Sequence, residues 1–170
     1  MASKQTFSMQ TPHGEDRERL VCDSCGFIAY VNPKIVVGSV VTHEDKFLLC
    51  RRAIEPRRGF WTLPAGYLEE GEAVEEGARR EAREEACAEI AIEGLLAYYS
   101  VNHLSQVQLM FRARLLSPDV TPGPESLEVA LVPWEDIPWA ELAFPSVRWA
   151  LDHYRAWSEG AAAPFSNPRT

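Results

Sequence analysis

The sequence predicts an α+β fold in which a mixed sheet is held between helices, and three observations predict it. β-Branched and aliphatic runs separated by polar turns recur from Ile35 to Val132. A long Ala/Glu/Arg stretch without proline follows Gly66, and a second apolar-periodic stretch lies between Pro145 and Trp157. Strands alternating with two substantial helices bury their apolar faces as a sheet covered on both sides. At 170 residues the chain has room for one domain with a proper core and not for two of full size. No internal repeat or low-complexity tract competes with this plan.

In chain order, residues 1–16 are polar and carry no apolar period, so they are expected to lack fixed structure. Cys22-Asp23-Ser24-Cys25-Gly26 then has the shape of a zinc knuckle, two thiols around a tight turn. A structural zinc takes four ligands, and only His13 stands nearby to add to the pair. The expectation is a metal-free turn, with Cys22 and Cys25 as the ligands of any zinc that is held.

Ile35 to Thr42 is a β-branched strand, His43 to Lys46 a polar turn, and Phe47 to Arg51 a returning strand, which together make a hairpin. The continuous apolar character of the first strand requires cover on both faces. Arg51, Arg52, Arg57 and Arg58 gather around Pro56 as either phosphate ligands or a solvated basic loop, with Arg51 and Arg52 the candidates for substrate. Gly59 to Ala65 is a short strand ending at a turn.

Ile90 to Ser100 and Gln106 to Leu116 are strands joined by a polar loop. Tyr98, Tyr99 and Phe111 either stack on a flat base or pack as core, and Tyr98 and Phe111 are the candidates for the first role. Pro118 to Leu127 is a stiff loop that carries Glu125 into an otherwise uncharged turn, with Glu128 close behind. A strand at Val129 to Val132, a short helical segment at Trp134 to Ile137 and an amphipathic helix from Pro145 to Trp157 follow. Val147, Ala150, Leu151 and Tyr154 form the apolar side of that helix. Three segments result: an N-terminal extension at 1–33, the main domain at 34–157 and a flexible tail at 158–170.

The stretch between these strands carries the chemistry. Val74, Ala78, Ala82 and Ala86 recur at four-residue steps and let a helix sit close to the sheet. On such a helix Glu81, Glu84 and Glu85 fall within an arc of roughly 100 degrees. Like charges at these spacings repel, so a helix selected only for solubility gains from a Lys or Arg among them. Clustered carboxylate oxygens suit Mg2+ or Mn2+, although Glu-rich helices are also common solvated faces.

The net charge is -8, from 17 basic and 25 acidic residues. That sign repels a phosphate backbone and argues against general nucleic-acid binding. No apolar run approaches the ~20 residues of a membrane span, and no leader-like N-terminus is present. Four cysteines are too few to make a disulfide framework for a chain of this size, so a reduced, cytoplasmic protein is expected.

Gly66, Glu72 and Arg80-Glu81-Ala82-Arg83-Glu84-Glu85 stand at the separations of the signature box of the Nudix hydrolases, which this chain resembles. The likeness runs through Asn32-Pro33-Lys34, Leu63-Pro64-Ala65-Gly66, Pro122-Gly123-Pro124-Glu125 and Leu142-Ala143-Phe144. The resemblance implies a Nudix-type α/β/α sandwich. It also implies divalent-metal hydrolysis of a diphosphate linking a nucleoside to another group, with FAD, ADP-ribose or NADH as substrate. A nucleoside triphosphate-sanitising enzyme and a non-catalytic nucleotide-sugar sensor are the alternatives.

On this resemblance Glu81, Glu85, Glu84 and the Gly66 carbonyl hold Mg2+ or Mn2+. Glu84, Glu125 and Arg80 make the catalytic set, with Arg80 pairing Glu72 to brace the loop. The segment from Leu20 to Val37 is similar to the N-terminal zinc ribbon of Nudix enzymes acting on dinucleotides, although its first Cys pair is absent here. Family members are often dimers, so a homodimer acting on a small-molecule dinucleotide or nucleotide sugar is expected. One departure is Cys87, where the family usually has Gly. A non-Gly residue in the left-handed turn that closes a helix costs on the order of 1 kcal/mol.

Overall fold

The apolar run after Pro33 forms the spine of a seven-stranded mixed sheet, in a computed structural model that describes residues 6–168. The first five and last two residues, which begin the expected extension and end the expected tail, lie outside the described residues. The chain divides at Pro33/Lys34 into two compact units.

In the first unit, strands β1 (Phe7–Gln10), β2 (Arg19–Cys22) and β3 (Ile28–Ala29) form an antiparallel sheet in that order. The expectation of no fixed structure before Asp16 is corrected by β1, which pairs Phe7 with Cys22 through Gln10 with Arg19. Its stability comes from main-chain pairing and from side-chain bonds such as Gln10 to Ser8, 2.8 Å. Phe7 and Met9 are both exposed, so no apolar pattern announces the strand. The knuckle turn closes by the Gly26 N–H donating to the Cys22 carbonyl at 2.9 Å. Gly26 has φ +72°, a conformation that favours glycine.

In the second unit, β4 (Lys34–His43) turns through Glu44 into β5 (Lys46–Arg52). The two strands pair only at Thr42 with Phe47 and His43 with Lys46 before they diverge. Into the gap come β6 (Trp61–Thr62), which pairs with β5, and β7 (Ala65–Tyr67), which pairs with β4. Helix α1 (Val74–Ala86), β8 (Ile90–Val101), β9 (Gln106–Leu115), β10 (Ser126–Pro133) and α2 (Pro145–Ser158) complete the unit. The sheet order is β10-β5-β4-β9-β8, with β4 and β9 parallel and their neighbours antiparallel.

β4 is buried from Val37 to Val41, as a strand covered on both faces must be. Val41, Leu48, Cys50 and Leu115 pack with Ala82 and Ala86 of α1 on one face. Val40, Leu49, Leu96 and Tyr99 pack with Val147, Ala150 and Leu151 of α2 on the other. Helix α1 lies close to the sheet because Ala78, Ala82 and Ala86, all fully buried, offer only methyl groups. At Gly38 an added Cβ would stand 2.4 Å from the Ala65 Cβ, so β7 reaches β4 only because glycine is there.

The residues after α2, expected to be a flexible tail, are docked. The Phe165 N–H donates to the Leu96 carbonyl at 2.8 Å, and the Tyr98 N–H donates to the Phe165 carbonyl at 3.0 Å. Asn167 bonds both the N–H and the carbonyl of Ser100. β8 is the edge of the sheet and leaves backbone groups unpaired, and this segment covers them.

Candidate functional site

Arg80 ties the loop before α1 to the helix. Its Nε and Nη2 donate to both Glu72 carboxylate oxygens, at 2.9 and 3.1 Å, and Nη2 also donates to the Tyr67 carbonyl at 2.9 Å. Nη1 donates to Glu81 at 2.7 Å and to Glu84 at 2.9 Å. A guanidinium has five N–H groups, and these five bonds use them all. The Arg80 guanidinium holds the Glu72 carboxyl below its ordinary range, and the same pairing raises Arg80 further.

Glu81 and Glu85 point from one face of α1 toward β7. Both are buried, at 8% and 7% exposure. A Cβ at residue 66 would lie 2.4 Å from the Glu81 Oε2, so the carboxylate occupies space that only glycine leaves open. Glu85 accepts from the Ala65 N–H at 3.2 Å. Burial raises the Glu85 carboxyl to about 8, with like charge from Glu81 and Glu125 adding and the Ala65 N–H and Arg52 opposing. Burial likewise raises Glu81, against the pull of Arg80. Glu84 stays 58% exposed on its bond to Arg80.

The loop from Pro118 to Glu125 closes over the end of this helix. The Thr121 N–H donates to the Ala86 carbonyl at 3.1 Å, and the Gly123 N–H donates to the Glu85 carbonyl at 3.0 Å. These bonds satisfy carbonyls that a helix end leaves without partners. A Cβ at residue 123 would sit 1.6 Å from the Glu84 carbonyl oxygen, so this approach excludes every other residue. Two residues on, Glu125 is exposed, and its charge raises both Glu81 and Glu85. The Ala53 N–H bonds the Glu125 carbonyl at 2.8 Å and ties the loop to the end of β5.

Among the described residues no three acidic, His or Cys side chains converge tightly enough to enclose one ion. Mg2+ has no need of such a cage, because it keeps several waters and takes one or two carboxylates together with substrate phosphates. Glu81 and Glu85 are two buried carboxylates whose charged forms are penalised, and a nearby dication offsets that penalty. The donor set therefore fits a hard divalent cation.

The remaining sequence candidates are scattered. Arg52 stands near enough to Glu85 to favour its charge, donates Nε to the Pro56 carbonyl at 2.9 Å and lies over the Phe144 ring at 5.2 Å. Arg51 donates to the Gly59 carbonyl at 2.9 Å and pairs with Glu128 at 3.5 Å. Phe111 is corrected from a stacking candidate to core. It is 3% exposed and packs with Val37 and Ala78 beneath α1, since the β9 register turns it inward. Tyr98 is exposed, but it stands on the edge strand β8, three strands from Arg52 in the sheet order. In the first unit, the Ser24 hydroxyl and the Ser24 and Cys25 backbone pull the Cys22 thiol down to about 7. Sequence reasoning did not single out Gly123, whose signal was the Pro-Gly-Pro spacing just ahead of Glu125.

Residues 32–152 match the NUDIX domain, and residues 4–31 match the Nudix N-terminal zinc ribbon. The chain is 28% identical over 137 residues to an ADP-ribose pyrophosphatase of Methanocaldococcus jannaschii, covering 77% of this chain and 78% of that protein. It is 31% identical over 163 residues to the NAD-capped RNA hydrolase NudC of Pseudomonas aeruginosa, covering 88% of this chain but only 54% of that protein. A crystal structure of a NUDIX hydrolase from Nitrosomonas europaea superimposes with a TM-score of 0.92 at 42% identity, over 97% of this chain and 95% of that one. Enzymes of this family generally need divalent metals such as Mg2+. With the domain match spanning most of the chain and the box carboxylates gathered as described, this protein belongs to the Nudix hydrolases.

Proposed function

We propose that the protein hydrolyses the diphosphate bond of FAD, ADP-ribose or NADH to two monophosphates, with Glu81 and Glu85 binding Mg2+ or Mn2+ directly alongside substrate phosphates, exposed Glu84 sharing a further ion and the Gly66 carbonyl available as a backbone ligand. The observation that carries this reading is the pair of buried carboxylates, Glu81 and Glu85, packed against Gly66 and Ala65, with the charge of Glu125 felt by both. The names of the relatives support a diphosphate linked to a nucleoside as the substrate class. When bound, a divalent ion neutralises charge on the phosphoryl oxygens and makes water more acidic.

The chain supplies the rest. Arg80 presets the carboxylates by holding Glu72, Glu81 and Glu84 in one network. Exposed Glu125, delivered by the Gly123 contact, accepts a proton from the attacking water. Arg52, beside Glu85, binds the diphosphate, with Arg51 as its neighbour on β5. Water adds to one phosphorus, the bridging oxygen leaves with the other, and two monophosphates result. The substrate is a free dinucleotide rather than a capped RNA, because a net charge of -8 repels a polynucleotide. Free thiols at Cys22, Cys25, Cys50 and Cys87 support a cytoplasmic protein, which we take to act as a homodimer.

A screen of FAD, ADP-ribose, NADH, NAD-capped RNA and nucleoside triphosphates with each metal tests the reading. Turnover of dinucleotides is expected, whereas activity confined to triphosphates or to capped RNA overturns it. Binding without turnover of any diphosphate tested identifies a sensor instead. Glu85→Gln is expected to lower kcat/KM on the order of 10³-fold, because several kcal/mol of metal-borne stabilisation are lost. Turnover near that of the parent removes Glu85 from the site.

A further inference from the structure

The knuckle turn of the first unit carries chemistry that the carboxylate site does not use. A structural zinc takes four ligands, thiolates with or without His. Between Met1 and Pro33 the chain supplies two cysteines, Cys22 and Cys25, and one histidine, His13. The other two cysteines stand in the second unit, Cys50 on β5 and Cys87 at the end of α1. Among the described residues no third His, Cys, Asp or Glu joins the pair closely enough to hold an ion. The segment matches a zinc ribbon, but its donor set does not fit a structural zinc.

What the turn does hold is a pair of facing thiols. The Cys25 thiol, the Cys25 N–H and the Ser24 N–H all bond to the Cys22 sulfur, and the Ser24 hydroxyl stands 3.2 Å from it. The backbone fixes the turn at several points: the Cys22 N–H donates to the Phe27 carbonyl at 2.8 Å, the Gly26 N–H to the Cys22 carbonyl at 2.9 Å and the Asp23 N–H to the Thr6 carbonyl at 3.0 Å. The two sulfurs differ in access. Cys22 is buried at 2% exposure, whereas Cys25 is exposed. One thiol open to solvent and one shielded beside it is the arrangement of a thiol–disulfide exchange site. Only Val21 and Cys22 are buried among the described residues of this unit, so little apolar core steadies it and a bond across the turn would tighten it.

We infer that Cys22 and Cys25 form a reversible thiol–disulfide site whose co-reactant is a low-molecular-weight disulfide. The exposed Cys25 sulfur, as thiolate, attacks one sulfur of the incoming disulfide; that S–S bond breaks, and the first half leaves as a thiol carrying the Cys25 proton. The Cys22 sulfur then attacks Cys25, and the second half leaves as a thiol carrying the Cys22 proton. Two protein thiols are oxidised to one disulfide, and the co-reactant is reduced to two thiols. In a compartment that keeps thiols reduced, the reverse exchange reopens the bond.

The test incubates the reduced full-length protein with glutathione disulfide and reads the products by intact mass and peptide mapping. The parent is expected to lose two hydrogens in a bond that maps between Cys22 and Cys25, with no glutathione kept on either, and dithiothreitol is expected to restore both thiols. Exposed Cys87, which has no second thiol in its turn, is the internal comparison and is expected to keep its adduct. Cys22→Ser is expected to stop at a mixed disulfide on Cys25. Cys25→Ser is expected to slow reaction at Cys22 about tenfold or more, because only the shielded sulfur remains. The parent's own map decides the matter even if the Cys22 variant does not fold. Unreacted thiols at 22 and 25, a glutathione adduct that persists on the parent's Cys25, or stoichiometric zinc in protein purified without added metal overturns the site.

Discussion

Glu85 sets the pH behaviour of the metal-free protein. Its carboxyl stands at about 8 in the folded state, against 4.5 as its ordinary value. Between those values the folded state binds the extra proton, so stability is full below about 4.5 and is lost as pH rises toward 8. The limiting slope for one such group is about 1.4 kcal/mol per pH unit. Thermal melts in chelator from pH 5 to 8.5 are expected to show a falling Tm, and Glu85→Gln is expected to flatten that fall. A pH-independent Tm in the parent contradicts the burial argument. Arg80 shows why the box takes a guanidinium there: five donors serve three carboxylates and a carbonyl, and an ammonium has only three.

At the scale of elements, two backbone devices act at the C-terminal end of α1. Cys87 ends it at φ 48°, ψ 31°, the left-handed turn that glycine adopts without a Cβ penalty. Cys87→Gly is therefore expected to stabilise the fold by about 1 kcal/mol and raise Tm by about 2–4 °C without loss of activity. An unchanged or lowered Tm counts against this account. Gly123 seats the Pro118 to Glu125 loop on the last turn, where any Cβ meets the Glu84 carbonyl. Gly123→Ala is expected to cost about 1–3 kcal/mol in urea denaturation and to depress kcat more than KM by displacing Glu125. Parent-like stability and kcat in that variant would show the loop to be unconstrained.

At the scale of the whole molecule, the sheet edge is closed by the segment after α2. The Phe165 ring stacks on His153 with centroids 4.6 Å apart, while its backbone pairs with β8. Phe165→Ala is expected to lower stability by about 2 kcal/mol and Tm by about 4–8 °C, as read by calorimetry. A Tm equal to the parent's would make this segment a passive appendage. Among the described residues no helix is long and apolar enough to cross a membrane.

What the sequence determined by itself is everything that depends on local period and spacing. The alanine stripe announced α1, the β-branched run announced the central strand, and the offsets from Gly66 to Glu85 announced the family and the carboxylate cluster. Each of these is legible because one element contains all of its information. The tertiary structure alone decided which side chains meet across elements. It buried Phe111 by strand register, set Gly123 against Glu84, and paired an edge strand with residues that have no pattern of their own. Such contacts form because apolar faces and unpaired backbone groups must be covered by whatever the closed fold brings near them, and no local pattern in the chain records that choice.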